Sequence, residues 1–269
     1  MNNINQNKLE ELIENFDGSK GTRININNLP NFEIFNRPDF ATLKLYMKKN
    51  ESVIINSGYM KAMIPSMKTI TKTQGGFFRS FFRMFFTSVS LFMTEYVSQQ
   101  DESELLCGDY LMSDILPVII EPGTGHIFNK DSLICYTNNL ELNTKFSLKN
   151  FFMDEGYGQI KFINKSQKRG MVWVAAYGGF NKVNLKEGES LNIDNGYFLE
   201  SNENIDYSIS SAGGLKTTLL GGEGLLMKFK GPCEFYIKGN NLNTFIDYLN
   251  SFKKNKDKNI EFNFENNDN

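Results

Sequence analysis

The feature that most constrains this chain is an internal repeat. Lys48-Lys-Asn-Glu-Ser-Val lies over Lys186-Glu-Gly-Glu-Ser-Leu, which puts Glu51 on Glu189 and Gly58-Tyr59 on Gly196-Tyr197 at a constant separation (189 − 51 = 138). Gly75-Gly76 and Gly213-Gly214 keep that separation. A middle copy follows from Glu121-Pro-Gly-Thr-Gly, because Gly123 stands 73 residues after Asn50 and 65 before Gly188. The copies run over about 40–109, 110–178 and 179–239. Periods this long indicate one supersecondary unit used three times, each copy burying its apolar face against a neighbour.

Within the copies the apolar residues alternate. Thr42-Leu-Lys-Leu-Tyr-Met, Ser190-Leu-Asn-Ile-Asp, Asn204-Ile-Asp-Tyr-Ser-Ile, Gly224-Leu-Leu-Met-Lys-Phe-Lys and Glu234-Phe-Tyr-Ile-Lys carry the period of two that marks half-buried strands. Ser57-Gly58, Pro122-Gly123 and Asn195-Gly196 sit where strands must reverse, with Gly supplying positive φ. The expectation is an all-β core of three similar layers with short peripheral helices. A nucleotide-binding α/β sheet is disfavoured, since strands and helices do not alternate.

The two ends differ from this middle. Residues 1–31 are an Asn-rich N-terminal extension, read as mobile except for a docking helix in which Leu9, Leu12, Ile13 and Phe16 recur at helical spacing. Residues 240–252 read as a C-terminal helix, with Leu242, Phe245, Ile246, Leu249 and Phe252 on one stripe, and 253–269 as a disordered Lys/Asn/Glu tail. The intervening 32–239 forms the three-repeat domain.

Composition excludes several classes of function. With 29 Lys and Arg against 31 Asp and Glu, the chain lacks the basic surface that neutralises phosphates, so a nucleic-acid partner is disfavoured. His126 is the one histidine, which excludes a His-rich metal site. Cys107, Cys135 and Cys233 are widely spaced and read as three separate buried thiols, neither a disulfide framework nor a zinc ribbon. Met1 to Phe16 has neither a secretory apolar run nor an Arg-rich presequence, so a secreted protein is not expected.

The most unusual stretch is Gly75-Gly-Phe-Phe-Arg-Ser-Phe-Phe-Arg-Met-Phe-Phe-Thr-Ser. On a helical wheel Phe77, Phe78, Phe81, Phe82, Phe85 and Phe86 share one face, opposite Arg79 and Arg83. Gly75 to Met93 spans 19 residues and the matching Gly213 to Met227 spans 15, so the first copy is longer by about one helical turn. These eight residues are the candidate interaction surface, for the core, a partner protein, self-association, or peripheral membrane contact through residues 77–87. Gly221-Gly-Glu-Gly lacks the Lys-Ser/Thr of a P-loop and reads as a turn. His126 reads as a capping or packing residue and Trp173 as strand core. No nucleophile, base or metal cluster is placed, so no catalytic residue, cofactor site or metal site is nominated and the chain is not expected to be an enzyme.

One resemblance is specific. Gly213-Gly-Leu-Lys-Thr-Thr-Leu-Leu-Gly-Gly-Glu-Gly-Leu-Leu-Met-Lys-Phe-Lys-Gly-Pro, together with Lys186-Glu-Gly-Glu-Ser-Leu-Asn-Ile-Asp-Asn-Gly-Tyr and Asn50-Glu-Ser-Val-Ile-Ile-Asn-Ser-Gly-Tyr-Met, resembles the altered-inheritance-of-mitochondria, or mitochondrial biogenesis, family from about Phe32 to Gly239. The resemblance implies a β-sandwich of double-stranded β-helix type, like the tryptophan RNA-binding attenuation protein. It implies no established enzyme activity, and a role in mitochondrial or inner-membrane organisation that suits a non-enzymatic scaffold or interaction protein. RNA binding enters from the fold analogy alone, and an enzyme with an unrecognised site stands as a further alternative. The compartment implied is mitochondrial; without a presequence in Met1 to Phe16 the alternative is cytoplasmic. The Phe-rich stretch stands where relatives carry a Gly-rich apolar loop.

Overall fold

The computed structural model describes residues 4–14, 22–71, 93–143, 158–211 and 225–261. After helix α1 (Gln6–Glu14) and strand β1 (Asn31–Phe35), the first block contains β2 (Thr42–Met47), β3 (Ser52–Asn56), β4 (Met60–Met63), β5 (Met67–Thr71), β6 (Met93–Ser98) and β7 (Ser103–Cys107). The second contains β8 (Ser113–Ile120), β9 (Gly125–Asn129), β10 (Leu133–Thr137), β11 (Glu141–Leu142), β12 (Gln159–Ile163) and β13 (Gly170–Tyr177). The third contains β14 (Phe180–Leu185), β15 (Ser190–Asp194), β16 (Phe198–Asn202), β17 (Tyr207–Ser211), β18 (Leu225–Lys230) and β19 (Cys233–Lys238), followed by helix α2 (Leu242–Glu261).

One antiparallel pairing scheme recurs in all three blocks. The sixth strand pairs with the first (β2·β7, β8·β13, β14·β19) and with the third (β4·β7, β10·β13, β16·β19). The fifth pairs with the second (β3·β6, β9·β12, β15·β18) and with the fourth (β5·β6, β11·β12, β17·β18). Each third strand carries a register irregularity at one equivalent place, between Met60 and Ala62, Leu133 and Cys135, and Phe198 and Glu200. Asn50, Gly123 and Gly188, matched by the sequence offsets, all have positive φ, at 67°, 80° and 82°. Asn can take this conformation where most side chains cannot.

Successive blocks are joined because the second strand of one block pairs with the third of the next, as β3·β10 and β9·β16. Among the described residues four sheets result, with orders β1-β2-β7-β4, β5-β6-β3-β10-β13-β8, β11-β12-β9-β16-β19-β14 and β15-β18-β17. The described residues form three cores. Phe32, Leu43, Leu105, Ile115 and Trp173 belong to the first, Leu116, Phe128, Phe162, Val174 and Leu199 to the second, and Ile127, Phe198, Phe229 and Phe235 to the third. Ile115 and Leu116 thus face different cores, so β8 is buried on both sides, as is β13. That explains their continuous apolar runs, which lack the alternation of the outer strands. Pro117 is tolerated because β8 is a sheet edge.

Four expectations need correction. The extension is not mobile up to residue 31: Ile24, Ile26 and Leu29 are buried, and Ile24 bridges Phe32. Their alternation, Ile24-Asn-Ile26, was already a strand signal. Helix α2 runs past Phe252 to Glu261, because a nucleated helix propagates through Lys-rich sequence without an apolar pattern. Gly196 lies in a 3₁₀ turn and is not among the positive-φ residues; a Cβ there would come within 2.1 Å of Asn241 Nδ2, so close packing demands the glycine. Met93 pairs with Asn56 as Leu226 pairs with Asp194, so Met93 corresponds to Leu226, not Met227, and the first copy is longer by five residues, not four.

Candidate functional site

The family-like Glu residues are turn residues. Glu51 accepts a hydrogen bond from the Lys48 N–H at 2.7 Å, and Glu189 accepts one from Lys186 N–H at 2.7 Å. In the middle copy the Thr124 hydroxyl does comparable work by donating to the Glu121 carbonyl at 2.8 Å. These side chains close the turn between the first two strands of each copy and are committed to backbone.

The chemically unusual place is where the blocks meet beyond their second strands. The Asn129 side chain accepts from Asp131 N–H and the Asp194 side chain from Gly196 N–H, each starting a 3₁₀ turn. The Tyr59 hydroxyl, buried at the equivalent point of the first block, donates to the Asp131 carbonyl of the second at 3.4 Å. Asn56 donates to the Leu133 carbonyl at 3.1 Å. Lys238 reaches this junction from the end of β19 and interacts with Asp131, Asp109, Lys130 and Asp194. Burial pushes its ammonium down to about 8, although the three carboxylates pull the other way. Lys130 is paired with Asp131 at 2.9 Å, and Asp109 is held by the Ser113 hydroxyl at 2.7 Å. Burial raises the Tyr59 hydroxyl, assisted by Asp109. Lys238 and Lys130 thus share one seam with three carboxylates, whose attraction only partly offsets the burial of Lys238.

A second polar row crosses the third sheet. Lys182, Tyr236 and Glu200 are register neighbours on β14, β19 and β16. Glu200, 3% exposed, lies 2.5 Å from His126 Nδ1 on β9, a polar contact across the β9–β16 pairing. Lys182 bonds Glu10 of α1 and Glu234, each at 3.0 Å. Burial alone would lower the Lys182 ammonium, but those two carboxylates outweigh it and its pKa is raised. Burial and Glu10 raise the Tyr236 hydroxyl. The row fastens α1 to the sheet.

Phe77, Phe78, Arg79, Phe81, Phe82, Arg83, Phe85 and Phe86 lie outside the described residues. The segment holding them joins β5 to β6, whose ends are paired at Thr71 and Thr94. Residues 144–157 and 212–224 hold the same place between fourth and fifth strands of the other blocks. Among the described residues no group of three or more His, Cys, Asp or Glu could hold a metal ion, and no helix is long and apolar enough to cross a membrane.

The C-terminal stripe is a surface. Phe245 packs on Tyr177 at a ring separation of 6.0 Å, but Ile246, Tyr248, Leu249 and Phe252 are 44%, 59%, 50% and 52% exposed. The periodicity was legible in the sequence, whereas the exposure of these side chains could be seen only once α2 was placed.

The glycine and glutamate turns of the repeated unit, now located, fall within the span of a known family, for the model of mitochondrial biogenesis AIM24 matches residues 32–239. The chain belongs to the AIM24 family. An uncharacterised protein of Streptococcus pyogenes serotype M6 is 28% identical over 91 residues, 34% of this chain and 36% of that relative, so the match spans about a third of the relative's length. The X-ray crystal structure of a Streptococcus pyogenes protein superposes with a TM-score of 0.67 at 19% identity, covering 83% of this chain and 100% of the other. The likeness shows that the two chains share an all-β fold.

Proposed function

We propose that this AIM24 family protein is a non-enzymatic scaffold that works through protein contacts, within mitochondrial biogenesis as the family description suggests. The observation that carries the reading is the open stripe of α2. Twenty residues of helix extend about 30 Å. Ile246, Leu249 and Phe252, each three residues after the last, are exposed together with Tyr248. Side chains at that spacing form one face, and a contiguous exposed apolar face marks an interaction site. The polar groups of the block junction and of the third sheet support the same reading, since they are engaged with one another across strands and blocks.

A photoreactive residue at position 249, followed by mass spectrometry of the adducts, tests the proposal. A protein adduct at a defined surface, lost when Ile246 and Phe252 are changed to Ser while the β-sheet circular dichroism is kept, is the expected result. Adducts with phospholipid alone, or none, would overturn it.

A further inference from the structure

The pairing scheme leaves two strand edges over. β3 pairs with β10 and β9 with β16, but β15, the second strand of the last block, and β4, the third strand of the first, end their sheets among the described residues. Exposure follows. β3 and β10 are buried throughout, whereas β15 is exposed at Ser190, Leu191 and Asn192, and β4 at Lys61, Ala62 and Met63. Leu191 is 37% exposed and Met63 40%. Neither strand contains a proline, one of the devices that protect an edge from pairing. The irregularity at Lys61 does not block an approach either, since β10 and β16 carry it in the equivalent place and pair all the same.

The geometry points to a second copy of this chain as the occupant, with β15 of one molecule pairing antiparallel with β4 of another and continuing a ladder already used twice within the protomer. The register is defined. Ile55 faces Cys135 in one existing pair and Phe128 faces Glu200 in the other. Their equivalents put Ile193 opposite Ala62, Asn192 opposite Met63 and Leu191 opposite Ile64. Backbone hydrogen bonds supply the affinity of such strand addition, and facing side chains its register. The contact is heterologous, joining two different edges. It goes beyond the scaffold reading and does not use α2.

The test uses the full chain with Cys233 changed to Ser, since Cys107 and Cys135 are buried. Met63→Cys and Asn192→Cys are introduced in separate proteins, mixed and oxidised. A disulfide between one chain of each kind, in excess over like-with-like dimers, is expected. Leu191→Lys with Ala62→Lys should weaken association at least tenfold by sedimentation, with circular dichroism unchanged, whereas I246S/F252S should leave the mixed disulfide intact. Absence of the mixed disulfide would overturn the inference, as would a chain carrying both cysteines that closes on itself as a monomer, because the two edges would then meet within one molecule.

Discussion

At the scale of single residues, the costly choice is Lys238. A buried ammonium is expensive because it leaves water for a medium that solvates it poorly, and the neighbouring carboxylates offset only part of that cost. With a folded value of about 8 against an ordinary 10.5, the unfolded chain binds the proton more tightly. Stability from this group therefore rises with pH between those values and is lowest below 8. Lys238→Met should remove that rise. From pH 8 to pH 10, wild type should gain about 2 kcal/mol relative to the variant in urea unfolding, at about 1.4 kcal/mol per pH unit. Parallel curves would show that the amine titrates as it does in the unfolded chain. The cysteines also matter here: Cys107 and Cys135 are neighbours, with burial first and then Cys107 holding the Cys135 thiol protonated, while Cys233 is only half-buried. The sequence reading of three separate buried thiols missed this because residues 28 positions apart can meet only through the packing of two sheets.

At the scale of elements, α1 is a brace. Leu9 is fully buried, Glu10 pairs with Lys182, and Gln6 caps the free edge of β8 by donating to the Pro117 carbonyl at 3.3 Å and accepting from Ile119 N–H at 2.9 Å. Arg169 adds a bond to the Ile4 carbonyl at 2.8 Å. Leu9→Ala should cost about 3 kcal/mol, the usual cost of a leucine-sized cavity. It should also open Glu10 and Glu11 to a glutamate-specific protease; unchanged cleavage would mean that the helix is held by its polar contacts alone. The loop after β1 is fastened in another way. Arg37 meets Asp114 through two bonds, Nε to Oδ1 at 2.7 Å and Nη2 to Oδ2 at 2.6 Å, with the carboxylate almost fully buried. Such a fork fixes orientation as well as charge.

At the scale of the whole molecule, the blocks are unequal in burial although equal in topology. The middle block is packed on both faces by its neighbours and by the N-terminal segment, while β4 and β15 end their sheets. Amide exchange should reflect this. β8, β10 and β13 should exchange only through the largest opening events, and β4 and β15 should be among the fastest strands. If association covers these two edges, their protection should increase with protein concentration. Concentration-independent exchange there would argue for a free edge.

Much of this was legible in the chain itself. Alternation in β2 and β15 and the repeated Glu-Ser turns specify strands and reversals locally, because side-chain direction in a strand depends only on position along it. The equivalence of Asn50, Gly123 and Gly188 could also be read, since a positive φ selects its residue type whatever surrounds it. Tertiary structure alone decided which strands cross between blocks, which edges remain unpaired, and that Lys238, Asp109, Asp131 and Asp194 share one seam. Those outcomes depend on three similar units choosing partners among nearly equivalent surfaces. Burial and charge then act between residues far apart in the chain, where local periodicity carries no information.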